Sequence, residues 1–232
     1  MRHEMMLNAG GAGLDAASGA GQARPWHTVM PSVLGELTLV RDQTGLRGLY
    51  FPHHWYRPDR SEFGPRLDGG FGAASRQLRE YLAGARQHFG LPLAPAGDQC
   101  QRTVWDLIMQ VPYGDTVTYG ELAARIGGEV TAQQVGTAVG RNPLCILVPC
   151  HRVVGRNGKL TGYAGGIGRK RYLLELEREQ ASRSLGLPFQ DTLIPGPYGQ
   201  EESADEHGRP AQNQSPRDLT QTWEKASTGR GQ

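Results

Sequence analysis

The sequence predicts an α/β N-terminal domain with a short antiparallel sheet, followed by a mainly helical C-terminal domain containing a helix-turn-helix. Three observations lead there. Gly35-Glu36-Leu37-Thr38-Leu39-Val40 alternates in polarity, and Gly45-Leu46-Arg47-Gly48-Leu49-Tyr50-Phe51 gives a second strand close behind it. Ala74 to His88 carries Leu78, Tyr81, Leu82 and Ala85 at helical spacing, forming one apolar stripe. Farther on, two short helical segments each begin at a threonine and are separated by Gly127-Gly128.

Taken in order, residues 1–24 hold 5 Gly and 6 Ala without periodicity and are expected to form a disordered arm. Residues 25–97 make the α/β domain, closed by a Gly- and Pro-rich linker from Phe89 to Gly97. His53, His54 and Trp55 read there as a loop edge, with no chemistry of their own. Residues 98–194 make the second domain. Val104, Leu107, Ile108 and Val111 mark its first helix, ended by Pro112-Tyr113-Gly114. Thr118 caps Tyr119 to Ile126 with Glu121 completing a capping box, and Thr131 caps a helix whose Val135, Ala138 and Val139 form the apolar face before Asn142-Pro143 stops it. Residues 195–232 have only 6 apolar residues in 38, too few to offset ordering entropy, and are expected to be a disordered acidic tail.

Composition excludes several classes. No apolar run approaches the roughly 18 residues of a membrane span, and Met1 to Arg24 lacks the sections of a signal peptide, so a cytoplasmic protein is expected. Cys100, Cys145 and Cys150 cannot all pair within one chain, and they lack zinc-ligand spacing with the seven His. No metal and no cofactor is expected. The net charge of +2 conceals an asymmetry: residues 130–174 contain no Asp or Glu, yet carry Arg141, Arg152, Arg156, Lys159, Arg169, Lys170 and Arg171. Such a field suits either phosphate contacts with nucleic acid or a merely solvated basic face.

The chemistry lies in Ile146-Leu147-Val148-Pro149-Cys150-His151-Arg152-Val153-Val154, read as an apolar strand with a thiol beside an imidazole and a guanidinium. A thiol with an ordinary pKa of about 8.5 is mostly protonated at neutral pH, so a nucleophilic cysteine needs a base or positive field nearby. Neighbouring strand residues point to opposite faces, so Cys150 and His151 cooperate only if the chain bends or water bridges them. A carboxylate should orient the imidazole. Glu175, Glu177 and Glu179, on a helix from Arg169 to Gln180, are the first acids after the acid-free stretch.

Pro149-Cys150-His151-Arg152-Val153, with Asn142-Pro143 before it and Gly162-Tyr163-Ala164-Gly165-Gly166 and Leu173-Leu174 after it, closely resembles the O6-alkylguanine-DNA alkyltransferases, also called methylated-DNA–protein cysteine methyltransferases. The resemblance runs from about Gln101 to Glu179, and the first domain fits the family's N-terminal domain in size and pattern. It implies direct reversal of DNA damage. The Cys150 thiolate takes the alkyl group from O6 of guanine once per molecule, with O4 of thymine as a further candidate substrate. His151 accepts the thiol proton through a water, and Glu177 stabilises the imidazolium. Asn142 matches the hinge between recognition helix and active site. Tyr163 and the Ala164 amide serve O6, Tyr119 serves ring N3, and the carbonyls of Cys150 and Val153 receive the exocyclic amine. As charge develops on the leaving guanine, such donors lower the barrier.

The implied partner is double-stranded DNA carrying O6-alkylguanine, bound by a monomer through the minor groove with the lesion flipped out. Arg141 and Arg152 count among the phosphate contacts and Val139 as a hydrophobic groove contact. Gln133 stands where the family usually places an arginine that fills the gap left by the flipped base, which implies weaker DNA binding or slower flipping. Cys145 either lines the alkyl pocket or simply fills space beside Ile146. It can link oxidatively to Cys150 only if their Cα atoms come within roughly 7 Å. Three competing functions remain: lesion recognition without transfer, which the presence of Cys150 opposes; a thiol hydrolase using Cys150, His151 and Glu177, which would turn over; and a methylation-switched regulator, which the lack of a Cys-rich zinc module before residue 100 disfavours.

Overall fold

The computed structural model describes residues 24–185 of the chain. The expected acidic tail, residues 186–194 and all but the last residue of the expected N-terminal arm lie outside it. The N-terminal half is built on three antiparallel strands in sequential order, β1 (Trp26–Met30), β2 (Leu37–Arg41) and β3 (Leu46–Tyr50). The last two coincide with the alternating stretches. Strand β1 has no clean alternation to announce it, since polar His27 and Thr28 are adjacent and so are apolar Val29 and Met30, and it forms because β2 offers it a full ladder, with Thr28 opposite Leu39 and Met30 opposite Leu37. Helix α1 (Gly72–Leu82) buries Ala74, Leu78, Tyr81 and Leu82 in the same core as Leu37, Leu39 and Leu49. On the other face of the sheet, Val40, Tyr50 and Phe63 form a small cluster of their own.

Two expectations need correction here. Helix α1 stops at Leu82 rather than His88, because Gly84 turns the chain at φ +73, and Ala85 is left exposed. The expected linker is not free: Leu46 N donates to Pro92 O at 2.8 Å and Ala94 N to Leu46 O at 2.8 Å. The free edge of β3 has backbone groups that need partners, and the extended chain supplies them.

The C-terminal half begins with α2 (Gln99–Met109), then the short β4 (Val117–Thr118), α3 (Tyr119–Ile126), α4 (Ala132–Gly140), the short β5 (Val153–Val154) and the long α5 (Ile167–Ser184). Both expected threonine caps form. Thr118 Oγ1 accepts from Glu121 N at 3.1 Å while Glu121 takes the Thr118 amide, and Thr131 accepts from Gln134 N at 3.2 Å with Gln134 returning the bond. Trp105 on α2 donates its indole N–H to Ala138 O at 2.9 Å, fixing α4 against α2.

The expected strand across Ile146–Val154 exists only at its end, where β5 pairs in parallel with β4. Before it, Ile146 sits at φ +72 and Cys150–Arg152 form one turn of 3-10 helix. A short buried apolar run does not reveal its backbone by periodicity, and Pro149 removes a ladder donor. One hydrophobic core runs from Met30 to Leu173 through both halves. Among the described residues, no helix is long and apolar enough to cross a membrane.

Candidate active site

The 3-10 turn supplies the bend that a straight strand lacks, and it presents Cys150, His151 and Arg152 from a single turn. His151 Nε2 lies 2.9 Å from Glu177 Oε1, and Arg152 grips the same carboxylate through Nε at 2.9 Å and Nη2 at 2.9 Å. Glu177 reaches this point from the third turn of α5, where it is fully buried. Gly114 N donates to its second oxygen at 3.1 Å, and the Tyr81 hydroxyl donates to Oε1. Burial by itself raises the Glu177 carboxyl, but hydrogen bonds from His151 and Arg152, together with the Arg152 charge, hold it well below the usual carboxylate range.

An ionised Glu177 fixes the tautomer of its neighbour. Nε2 must carry the proton that faces the carboxylate, which leaves Nδ1 as the acceptor. Nδ1 is buried and has no hydrogen-bond partner among the described residues. Burial lowers the His151 pKa despite the Glu177 bond, so the ring stays neutral and able to take a proton.

The thiol environment favours ionisation. Cys150 is 3 % exposed, and its sulfur lies 3.7 Å from that of Cys145. Hydrogen bonding from Cys145, helped by the Asn142 amide, the Lys170 charge and its own backbone N–H, lowers the Cys150 pKa against the opposing effect of burial. Cys145, buried and facing that charge, is pushed well up. Asn142 ties the end of α4 to this loop, donating to Val148 O at 2.9 Å and accepting from Leu144 N at 2.9 Å. Tyr163 and Ala164 are buried, Tyr163 close enough to both thiols to interact with them, and the Tyr163 hydroxyl has no hydrogen-bond partner of ordinary geometry among the described residues. Tyr119 packs its ring on α4 near Gly136 and lies close enough to Cys150 for the two to influence each other's ionisation.

Other expected contacts are arranged differently. Arg152 is not a surface cation: besides Glu177, its Nη1 donates to Val111 O at 2.6 Å, and the residue is 8 % exposed. A buried carboxylate requires a buried cation, and Arg152 meets that need instead of a phosphate's. Lys170 is fully buried and donates to the carbonyls of Val153 (2.6 Å), Thr161 (2.7 Å) and Gly162 (3.3 Å). Arg169 is held by Leu34 O at 2.8 Å and Gly165 O at 2.7 Å. The exposed cations of the acid-free stretch are therefore Arg141, Arg156, Lys159 and Arg171. Val139 is buried with Val135 and Ala138 on the inner face of α4, one turn from Val135, so it is part of the core and not of the groove surface. Gln133 is exposed on the first turn of α4, and Arg141 at its end lies over the Tyr56 ring at 4.9 Å.

Tyr81, Lys170 and His54 were not legible as site residues. Tyr81 was hidden in an apolar stripe, although a phenol on a buried helix face needs a polar partner, and that need was the available signal. His54 is not a loop edge: it packs on Tyr50 at 5.1 Å and Phe51 at 6.3 Å with its ring directed at the Asn142 backbone. Burial lowers its pKa to about 4.

Comparison with known proteins gives a consistent result across the chain. Residues 26–95 match the family model described as 6-O-methylguanine DNA methyltransferase, ribonuclease-like domain, and residues 99–179 match 6-O-methylguanine DNA methyltransferase, DNA binding domain. A methylated-DNA–protein-cysteine methyltransferase of Mycobacterium tuberculosis is 44% identical over 161 residues, which cover 69% of this chain and 97% of the relative. One of Methanosarcina acetivorans is 42% identical over 161 residues, covering 66% of this chain and 97% of the relative. The crystal structure of Mycobacterium tuberculosis OGT in complex with DNA superposes with a TM-score of 0.63 at 44% identity, covering 66% of this chain and 93% of that one.

Proposed function

The chain belongs to the 6-O-methylguanine DNA methyltransferase family, and from that premise we propose that it repairs alkylated DNA as a methylated-DNA–protein-cysteine methyltransferase with Cys150 as the acceptor. In the proposed reaction His151 Nδ1 takes the Cys150 proton through a water. The thiolate then attacks the alkyl carbon on O6 of guanine; the S–C bond forms as the C–O bond breaks, and the electron pair leaves with the base. Glu177, already ionised and held by Arg152, stabilises the imidazolium. The Tyr163 hydroxyl and the Ala164 amide meet the charge developing at O6, and Tyr119 donates toward ring N3. The carbonyls of Cys150 and Val153 accept the exocyclic amine. That of Val153 already receives Lys170, and its second lone pair remains for the base. Returning the alkyl group would require the Cys150 thiolate to be expelled from the carbon of an uncharged thioether, so each molecule acts once.

The partner in this reading is duplex DNA, approached by a monomer. Helix α4 enters the minor groove with Gly136 and Thr137 allowing close approach, and the alkylated base is flipped into the pocket. Arg141 contacts phosphate, and Gln133 occupies the gap in the stack without the charge an arginine would bring. A relative of known structure bound to DNA supports the choice of partner. The observation that carries the chemistry is the buried Cys150 on the same turn as a His151 that is locked onto Glu177 through Nε2 and open at Nδ1.

The test is transfer of label from duplex DNA containing radiolabelled O6-methylguanine, with O4-methylthymine in a parallel arm. Saturation at one methyl per chain, abolished in Cys150→Ser, is expected; sustained turnover would overturn the reading. In the same assay Gln133→Arg should tighten binding and speed repair of duplex DNA, and no gain would remove Gln133 from the interface.

A further inference from the structure

The pair of buried thiols does more than the alkyl transfer requires. Cys145 is fully buried, Cys150 nearly so, and their sulfurs stand 3.7 Å apart, in van der Waals contact. The contact is built by the backbone. Val148 N donates to Leu144 O at 2.8 Å, Cys145 bridges to Val148, and Ile146 at φ +72 reverses the chain so that positions 145 and 150 face each other. Asn142 pins both ends of this loop. Closing the sulfurs from 3.7 Å to a bond of about 2.05 Å requires side-chain rotation and a small loop adjustment, not a refolding.

We propose that Cys145 and Cys150 form a reversible oxidation site, in which Cys145 resolves an oxidised Cys150 as an intramolecular disulfide that masks the nucleophile until a dithiol reduces it. The proposal builds on the reading of Cys150 as the alkyl acceptor. A pocket that admits a guanine base also admits a hydroperoxide. The Cys150 thiolate attacks the peroxide; an S–O bond forms, the O–O bond breaks, and an alcohol or water leaves with the proton the thiol gave up. Cys150 is then a sulfenic acid. The Cys145 sulfur attacks it, the S–S bond forms, and the hydroxyl leaves as water with the Cys145 proton. Two thiols are oxidised and one hydroperoxide is reduced. Without a neighbouring thiol, further oxidation to sulfinic acid is irreversible for a protein that uses its cysteine only once. Cys100 takes no part, since it lies on α2, outside the loop that brings Cys145 and Cys150 together.

The sequence makes the reaction easy to follow. Trypsin cutting after Arg141 and Arg152 releases Asn142 to Arg152, which holds both cysteines, while Cys100 falls in the peptide Gln87 to Arg102. The full chain is treated with excess hydrogen peroxide, then digested with and without prior dithiothreitol, and methyl transfer is measured on each sample and on untreated protein. The expected result is a peptide lighter by two hydrogen atoms, loss of transfer, and recovery to the untreated level with dithiothreitol. In Cys145→Ala and Cys145→Ser the same peptide should instead gain oxygen, and dithiothreitol should not restore transfer. Oxygen added to the wild-type peptide in place of the disulfide, or equal recovery in the variants, would overturn the proposal. The peptide mass is read without DNA. Absence of methyl transfer in untreated protein would therefore count against the repair reading alone, and the mass would still decide the disulfide.

Discussion

Removing the Tyr81 hydroxyl isolates one bond of the buried network. Tyr81 on α1 is fully buried, donates to Glu177 Oε1, and lies 3.3 Å from His151 Nε2. In Tyr81→Phe the ring contacts with Phe89 at 5.1 Å and Tyr113 at 6.0 Å remain, so no cavity larger than one oxygen opens. A hydrogen bond to a charged group contributes about 1.5–3 kcal/mol. Glu177 keeps His151, Arg152 and the Gly114 amide, so it is not orphaned, and the lower end of that range applies. A loss of about 1.5 kcal/mol lowers the midpoint of thermal unfolding by about 3–6 °C for a chain of this size. The single-turnover rate should fall by no more than about tenfold, because the His151–Glu177 bond persists. Urea unfolding with and without the substitution, paired with transfer kinetics at saturating DNA, measures both. A change below about 0.3 kcal/mol would show that the phenol is not engaged with the carboxylate, and the coupling of α1 to the site would fail with it.

Lys170→Met leaves the carbonyls of Val153, Thr161 and Gly162 without their donor and removes positive charge near Cys150, so we expect about 3 kcal/mol of destabilisation and slower alkylation of Cys150 by iodoacetamide at pH 7. For His54 the folded pKa of about 4 lies below the ordinary 6.5, so the unfolded chain binds the extra proton first; the stability is fully present above pH 6.5 and falls by about 3 kcal/mol as pH drops toward 4. Chemical unfolding between pH 7 and 5 should show a shallower loss in His54→Gln than in wild type, and equal slopes would rule out His54 as the titrating group. With Arg141, Arg156, Lys159 and Arg171 as the exposed cations of the acid-free stretch, the slope of log affinity for duplex DNA against log salt should be no steeper than about −4; a steeper slope would mean that other cations reach phosphate.

Local signals carried part of the architecture well. Thr118 with Glu121 and Thr131 with Gln134 start their helices by side-chain hydrogen bonds that depend on a spacing of three residues, so the helix pair was legible. The Cys150, His151 and Glu177 constellation was legible through its residue types, but its geometry was not. The bend at Cys150–Arg152 follows from long-range pairing of β5 with β4 and from the demands of Glu177, neither of which leaves a periodic trace. Charge counting failed for a related reason. Arg152 and Lys170 look like surface cations in a list, and only the fold reveals that one neutralises a buried carboxylate while the other satisfies three buried carbonyls.

The N-terminal half, in which sequence reading found no chemistry, holds each part of the site that must stay in register. Tyr81 holds Glu177; His54 faces the Asn142 backbone; Leu49 N donates to Pro143 O at 2.7 Å, next to Asn142. The loop that carries Tyr163 and Ala164 is braced from the same side: Trp55 N donates to Ala164 O at 3.0 Å, and Arg169 links Leu34 O to Gly165 O across the face of Phe51. Even a methyl group added at Gly165 would meet the Phe51 ring at 2.3 Å, so this loop and the sheet are fitted to each other without slack. In the proposed transfer, the Cys150 thiolate needs its proton acceptor, Asn142 and the donors to the leaving guanine aligned before the base arrives. The sheet and α1 provide that alignment through contacts made by residues that never touch the reacting atoms.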